Sequence, residues 1–417
     1  MITFAIKKKV IPEIKIKDYS YTLPDNRIAK YPLPDRDSSK ILIFEDGIIS
    51  EDKFSNLARL LPPDSMMVFN NTKVVPARLL FKKESGAHIE VFCLEPFLPE
   101  EYNLSFETTT SCSWLAVVGN VKKWKSGFIY FEDNGIEQAK RHQLKASLVE
   151  RIDDKCVVQF HWQSGSSFST VMDTCGKVPI PPYLNRDSED QDTVRYQTVY
   201  AQFKGSVAAP TAGLHFSEHV LTSLAKNGIT SENIVLHVGA GTFLPVKADQ
   251  ISSHKMHSEP FSVTLGLLEK LLRQLRESNP VVAVGTTSVR TLESLYWLGV
   301  KCMKGESPEN INQWEPYEYN SNFSVDDSLL ALLKWMKDNN RNHLERKTEI
   351  IIVPGYEFKL VDILITNFHQ PKSTLLLLIA AFTKDRWKDI YDYALENEFR
   401  FLSYGDSSLL FRDNRRV

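Results

Sequence analysis

The chain has 417 residues, of which 42% are hydrophobic and 24% charged, with a formal net charge of −2. That balance belongs to a globular protein with large cores, in two or three domains or in one large domain carrying an insertion. It excludes a nucleic-acid coat held on by bulk charge, so any RNA contact requires basic residues gathered on one face.

Turn signals and prolines crowd residues 18–69, with a strand at 40–44. From about residue 74 the pattern changes to short alternating segments at 77–81, 88–94, 114–118, 128–131, 148–152 and 157–162. Gly, Asn, Ser and Asp separate them, which predicts a small antiparallel barrel over 74–170. A stiff proline-rich stretch, 178–183, returns the chain. Next come a strand at 234–238, a helix at 267–277, a buried strand at 281–284 and a helix at 288–298 closed by Gly299 at its C-terminal cap. Strands at 350–353 and 361–366 and a buried helix at 374–383 follow. The polar segment 302–348, with Trp314, Tyr317, Tyr319, Trp335 and one amphipathic helix at 325–337, reads as an insertion. The fold class is α/β: a mixed-sheet α/β domain (1–73 with 171–417) interrupted by an inserted small antiparallel β-barrel (74–170).

The cysteines, Cys93, Cys112, Cys156, Cys175 and Cys302, are odd in number and none lie at CxxC spacing. They indicate neither a structural zinc site nor a disulfide framework, and they fit a reducing compartment. The longest apolar run, 375–382, is too short to span a bilayer, and the N-terminus has the reverse charge order of a signal peptide. A cytoplasmic protein without membrane contact is expected. Lys7-Lys8-Lys9, Lys122-Lys123-Lys125 and Arg412-Arg415-Arg416 are local basic clusters whose simplest reading is a solvated surface.

Six segments could carry chemistry. GSVAAPTAGLHF (205–216) packs small residues beside Thr211, Gly213 and His215, as a backbone approached closely by a ligand would; a tight crossover explains it equally. LHVGAGTF (236–243) places Gly239 and Gly241 after a strand, without the third glycine and helix of a dinucleotide site. HKMHSE (254–259) holds His254, His257 and Glu259 in an extended stretch, a poorer zinc geometry than one helix face. VAVGTTSVRTLE (282–293) is strand, glycine turn and helix. Its N–H groups could bind an anion, while Thr286, Thr287 and Ser288 could equally be caps. Arg290 sits in the first turn, where the helix dipole disfavours it, and so implies an anionic partner: a carboxylate, a phosphate or a buried acid. ITNFHQPKST (365–374) repeats the construction with Asn367, His369, Lys372 and Ser373, and FLSYGD (401–406) offers Tyr404 and Asp406. The two strand–turn–helix units could open on one sheet edge, where α/β sheets bind ligands.

Taken in order, these segments, with LPDNRIAKYPLPDRDSSK, VFNNTKVVPARL, IPPY, RYQTVYA and VPGYEF, resemble the S-adenosylmethionine:tRNA ribosyltransferase-isomerase family of queuosine biosynthesis. The likeness runs from residue 23 to 406. Asn71, Lys73, Gln370 and Ser407-Ser408 depart from its usual residues, and 302–348 lengthens the chain. The resemblance implies a mixed α/β domain with an inserted barrel. It also implies transfer and isomerisation of the ribosyl group of S-adenosylmethionine onto a 7-aminomethyl-7-deazaguanine wobble base in a tRNA anticodon loop. The product is epoxyqueuosine tRNA, with adenine and methionine released. S-adenosylmethionine is then a co-substrate, no metal is needed, and a monomer is expected. His215, His257, Glu259, His369 and Asp406 are the candidate acid/base groups. Thr211, Gly213, Gly239, Gly241, Thr286, Thr287, Ser288, Arg290, Asn367, Lys372, Ser373 and Tyr404 are candidates for holding substrate, and Arg36 and Arg78 for contacting RNA or pinning domains. A paralogue acting on another 7-deazapurine or RNA, a non-catalytic RNA-binding module, and a metallohydrolase built on His254, His257 and His369 are the competing readings.

Overall fold

The computed structural model describes residues 11–133, 135–239, 246, 248–319 and 323–413. The chain opens with strands β1 (Lys40–Glu45) and β2 (Ile48–Lys53), helix α1 (Leu57–Leu60), then β3 (Met66–Asn70) and β4 (Thr72–Val74). The barrel strands follow: β5 (Arg78–Lys82), β6 (His88–Leu98), β7 (Ser111–Val118), β8 (Phe128–Phe131), β9 (Lys145–Ile152) and β10 (Lys155–His161). Helix α2 (Tyr102–Glu107) lies between β6 and β7, and α3 (Glu137–His142) between β8 and β9. After α4 (Phe168–Cys175) and α5 (Asp192–Arg195) come β11 (Phe203–Ser206), α6 (Glu218–Lys226), β12 (Thr230–Leu236), β13 (Glu259–Thr264), α7 (Leu265–Arg276), β14 (Val281–Val284) and α8 (Thr286–Met303). The chain closes with α9 (Glu315–Glu318), α10 (Val325–Asp338), β15 (His343–Thr348), β16 (Ile363–Asn367), α11 (Thr374–Phe382), α12 (Trp387–Glu396) and β17 (Ser407–Phe411).

A nine-stranded mixed sheet runs β15-β13-β12-β3-β14-β16-β17-β1-β2, and β10-β7-β6-β5-β8-β9 close into a barrel. Strands β12, β3, β14 and β16 are mutually parallel, and all barrel pairs are antiparallel. Strand side chains alternate between faces, so a strand buried on both sides reads as a continuous apolar run. In β14, Val281 and Ala283 join one core cluster with Leu292 of α8 and Leu377 of α11. Val282 and Val284 point the other way, toward Leu57 of α1 and Val220 of α6. The barrel fills its own interior with Leu79, Phe81, Val91, Trp114, Ala116 and Phe160. It meets the sheet where Tyr102 of α2 stacks on His237, ring centroids 4.2 Å apart, just beyond β12.

Two expectations are corrected here. Gly299 is not a cap: α8 continues to Met303, and Gly299 lets α10 approach so closely that a Cβ would lie 2.1 Å from the Ser328 carbonyl. Residues 350–353 are not a strand: most of their backbone bonds go to side chains, and none forms a ladder. Arg290 Nε donates to Ile350 O at 3.1 Å, and Tyr317 Oη donates to Ile351 O and accepts from Val353 N. The segment 302–348 lies between β14 and β16 in the chain and joins the main domain: α10 packs on α7 and α8, and β15 forms an edge of the main sheet.

Candidate active site

Strands β14 and β16 are parallel neighbours, with Val284 opposite Ile365, so the turns after them open on the same sheet edge. Gly285 makes the first turn at φ +84, a conformation that favours glycine, and its N–H donates to Ile365 O at 2.8 Å. Side chains cap α7, α10 and α11: Thr264, Ser324 and Ser373 accept from the backbone N–H three residues on. Among the described residues no side chain caps α8. Its first N–H groups have no intrahelical acceptor and carry the positive end of the helix dipole. A cavity of about 90 Å³ lies against this end, lined by Thr211, Thr286, Thr287, Asn367, His369 and Ser373 among others. Thr287 Oγ1 is buried there without a hydrogen-bond partner among the described residues. Ser288 is corrected out of this cradle: it is fully buried, and its hydroxyl donates back to Val284 O at 2.8 Å.

Behind the cavity runs a hydrogen-bonded string. Thr211 Oγ1 donates to Asn367 Oδ1 at 2.8 Å, Asn367 Nδ2 meets His215 Nε2 at 3.1 Å, and His215 Nδ1 meets Ser39 Oγ at 2.9 Å. With the amide N–H₂ donating, Nε2 accepts and the ring proton sits on Nδ1. Burial pushes the His215 pKa down to about 4. His369 Nε2 lies 3.0 Å from Thr366 Oγ1, and burial pushes its pKa down to about 3. Both imidazoles are therefore neutral at pH 7. They can accept a hydrogen bond or a proton, but neither enters the reaction as a charged acid.

A second cavity of about 320 Å³ adjoins the first, and Ser373 and Leu375 line both. Its walls are largely apolar: Val246, Met256, Ile350, Ile352, Leu375 and Leu378. Glu259 and Arg290 lie at its base as an ion pair whose side chains are only 4% and 8% exposed. Arg290 also reaches toward Thr348 O at 3.5 Å, and Gly239 N–H donates to Glu259 Oε1 at 3.4 Å. Of the anionic partners open to Arg290, the structure places a buried acid. Gln313 braces one wall, accepting from Met256 N at 2.9 Å and donating to His254 O at 2.7 Å, while Tyr317 braces the other. His257 lines this cavity and is exposed. Among the described residues no group of three His, Cys, Asp or Glu side chains is placed to hold a metal ion.

Other residues singled out by sequence fall elsewhere. Asp406 is buried and accepts from Lys40 N, Arg400 N and Arg400 Nη2, which makes it a chain clamp rather than a proton donor to substrate. Arg78 lies on the barrel and pairs with Glu90. Gly213 lines neither of these two cavities; its missing side chain makes room for Tyr200, whose Oη would be 1.9 Å from a Cβ. Lys372 is exposed, with a positive φ of 57° and its N–H donating to Tyr19 O. Tyr404 donates to Asp192 Oδ1 at 2.8 Å, and together with Arg36 and His215 it lines a separate narrow cleft. Gly241, Lys7, Lys8, Lys9, Arg415 and Arg416 lie outside the described residues. Sequence reasoning passed over Ser39 and Thr366, which orient the two histidines, and Tyr183 and Ser403, which line the first cavity and bond to each other at 2.6 Å. Tyr183 stands in the IPPY stretch and Ser403 beside Tyr404, but nothing in a sequence pairs them.

An open α/β sheet with joined cavities beyond the carboxyl ends of its central strands is the architecture of an enzyme acting on a small molecule. The chain belongs to the queuosine biosynthesis protein family, whose model matches residues 16–410. It is 35% identical over 402 residues to the S-adenosylmethionine:tRNA ribosyltransferase-isomerase of Trichlorobacter lovleyi, covering 95% of this chain and 99% of that one. A crystal structure of S-adenosylmethionine tRNA ribosyltransferase from Thermotoga maritima is 26% identical and aligns over 94% of this chain and 100% of its own, with a TM-score of 0.46.

Proposed function

We propose that the chain is an S-adenosylmethionine:tRNA ribosyltransferase-isomerase. It moves the ribosyl group of S-adenosylmethionine onto the aminomethyl nitrogen of a 7-aminomethyl-7-deazaguanine wobble base, giving epoxyqueuosine tRNA and releasing adenine and methionine. The kinship to the Trichlorobacter lovleyi protein supports the activity. The observation that carries the site is the join, at Ser373, of a small cavity walled in part by Thr286, Thr287, Asn367 and His369 to a wider one. Together they fall in the range of about 300–1,000 Å³ in which small-molecule sites lie. The donor set fits the co-substrate: the uncapped start of α8 and the unpartnered Thr287 hydroxyl suit a carboxylate, and the apolar slot suits a purine face.

S-adenosylmethionine supplies the ribosyl group and an electron-poor carbon beside its sulfonium. The chain's residues have to keep the attacking amine neutral and take up a proton. His369, neutral and at the cavity wall, is the group we assign to the proton. Thr366 fixes its ring, and the Thr211–Asn367–His215–Ser39 string holds the opposite wall rigid. Glu259 and Arg290 shape the base of the second cavity, and His257 stands at its rim. The chain is read as two units, 1–73 with 171–417 and 74–170, acting as a cytoplasmic monomer. Among the described residues no helix is long and apolar enough to cross a membrane.

His369→Ala tests the assignment. The ring's side-chain partner is only three residues away, so the fold should survive, while turnover should drop about 10²–10⁴-fold. Normal turnover in a folded His369→Ala protein would remove His369 from the chemistry.

A further inference from the structure

Beside the first cavity, and sharing Ser403 with it, is a narrow cleft of about 20 Å³. Three guanidinium groups line it: Arg36, Arg195 and Arg400. The only carboxylate paired with any of them among the described residues is Asp406, which takes Arg400 at 2.8 Å. Arg36 donates to the carbonyls of Val194 and Gln197, and Arg195 returns two bonds to those of Leu33 and Pro34. These bonds fasten residues 32–39 to 194–197. They satisfy N–H groups but neutralise no charge, because a carbonyl is only a dipole. Asp37, next to Arg36 in sequence, instead accepts from Ser217 at 2.5 Å. Arg195 Nε is buried with no partner among the described residues. The pKa of Arg36 is pushed down by burial and then by the nearby charge of Arg195, so the two cations are crowded together. His215 also lines the cleft and is neutral, so it adds no counter-charge.

Two half-buried arginines held side by side without an anion cost free energy that an oxyanion would recover. The position narrows the choice of anion. Ser403 and the His215–Asn367 contact separate the cleft from the cavity by a single layer of side chains. A nucleotide's phosphate lies one sugar away from its base, which matches that separation. We propose that Arg36 and Arg195, with Arg400 behind them, seat a phosphodiester of the RNA strand whose base enters the neighbouring cavity. This rests on the tRNA reading above and assigns to these residues the contact that sets the strand's register. The methionine carboxylate of S-adenosylmethionine shares the chemistry and is the rival source of the anion, so the test separates the two.

The variants are Arg36→Gln and Arg195→Gln, which keep amide donors for the carbonyls and remove the charge. Binding of tRNA carrying the aminomethyl-deazaguanine base is measured by anisotropy between 50 and 200 mM salt. For single strands the slope of log K against log salt changes by about 0.7 for each phosphate contact. Each variant is expected to flatten the slope by about that amount and to raise KM for tRNA, leaving KM for S-adenosylmethionine unchanged. Wild-type protein gives a second readout that needs no variant: bound tRNA should shield Arg36 and Arg195 from a dicarbonyl reagent, and S-adenosylmethionine alone should not. An unchanged slope in folded variants, a rise confined to KM for S-adenosylmethionine, or shielding by S-adenosylmethionine alone overturns the proposal. If the wild-type protein shows no ribosyl transfer but the variants still flatten the slope, the phosphate seat stands and the catalytic reading fails.

Discussion

Glu259 and Arg290 form the pair on which the second cavity rests, and their burial sets a magnitude. With side chains 4% and 8% exposed, neither charge is solvated by bulk water. Glu259→Gln keeps the shape and removes the charge, leaving Arg290 with backbone carbonyls alone. Removing one partner of a buried pair costs about 3–5 kcal/mol. Glu259→Gln with Arg290→Met removes both charges; the Ile350 carbonyl loses its donor, at about 1–3 kcal/mol, and the longer 3.5 Å contact to Thr348 O goes with it. The double variant should therefore be more stable than Glu259→Gln alone, with a coupling of about 0.5–3 kcal/mol. Urea unfolding followed by tryptophan fluorescence and by circular dichroism measures this, the two probes exposing any separate barrel transition. Additive single costs, or a loss under about 1 kcal/mol for Glu259→Gln, would refute the claim that Arg290 depends on Glu259 for its charge balance.

Gly213→Ala should destabilise by about 1–3 kcal/mol through overpacking against Tyr200 and Thr198, as read by thermal melting. Tyr200→Phe should restore part of the loss, since the Tyr200 hydroxyl has no partner among the described residues; no restoration would place the strain elsewhere. Gly299→Ala tests two opposed terms. Alanine gains about 1 kcal/mol of helix propensity, but its Cβ would press on Ser328 of α10, so the melting temperature should fall; a rise would mean that α10 yields easily. Acid sensitivity follows from the histidines. An unfolded His takes up a proton near pH 6.5, whereas His215 and His369 in the fold resist until about pH 4 and about pH 3. Their neutral forms thus contribute stability that is complete above pH 6.5 and lost as pH falls from there toward 3. His369→Gln should lessen the drop in melting temperature between pH 6.5 and 4, and an unchanged profile would contradict the buried neutral ring.

The barrel was legible because most of its strands alternate, as β5 and β6 do, and one face fills a closed interior. The two strand–turn–helix units were legible because glycine and polar turns punctuate apolar runs. Strands β13 and β15 were not: β15 is a short edge strand whose charged residues, such as Glu345 and Lys347, look like a loop, and β13, between β15 and β12, is a short segment broken by Pro260. Residues 350–353 carried the apolar signal of a strand, but their partners are Arg290 and Tyr317, which the sequence separates from them by tens of residues. The same applies to VPGYEF. It is held by Glu293 of α8, whose carboxylate accepts from Tyr356 Oη and from the N–H groups of Lys359, Leu360 and Val361. Glycines mislead in a consistent way: Gly213 and Gly299 serve packing contacts with distant side chains and helices, a role no local pattern distinguishes from a ligand turn or a cap.

The account stands or falls on ribosyl transfer. Purified protein incubated with S-adenosylmethionine and tRNA bearing 7-aminomethyl-7-deazaguanine should release adenine and, in step with it, add the mass of the epoxycyclopentanediol group to that tRNA. Neither adenine nor a mass gain, under conditions where the Trichlorobacter lovleyi protein gives both, would contradict it.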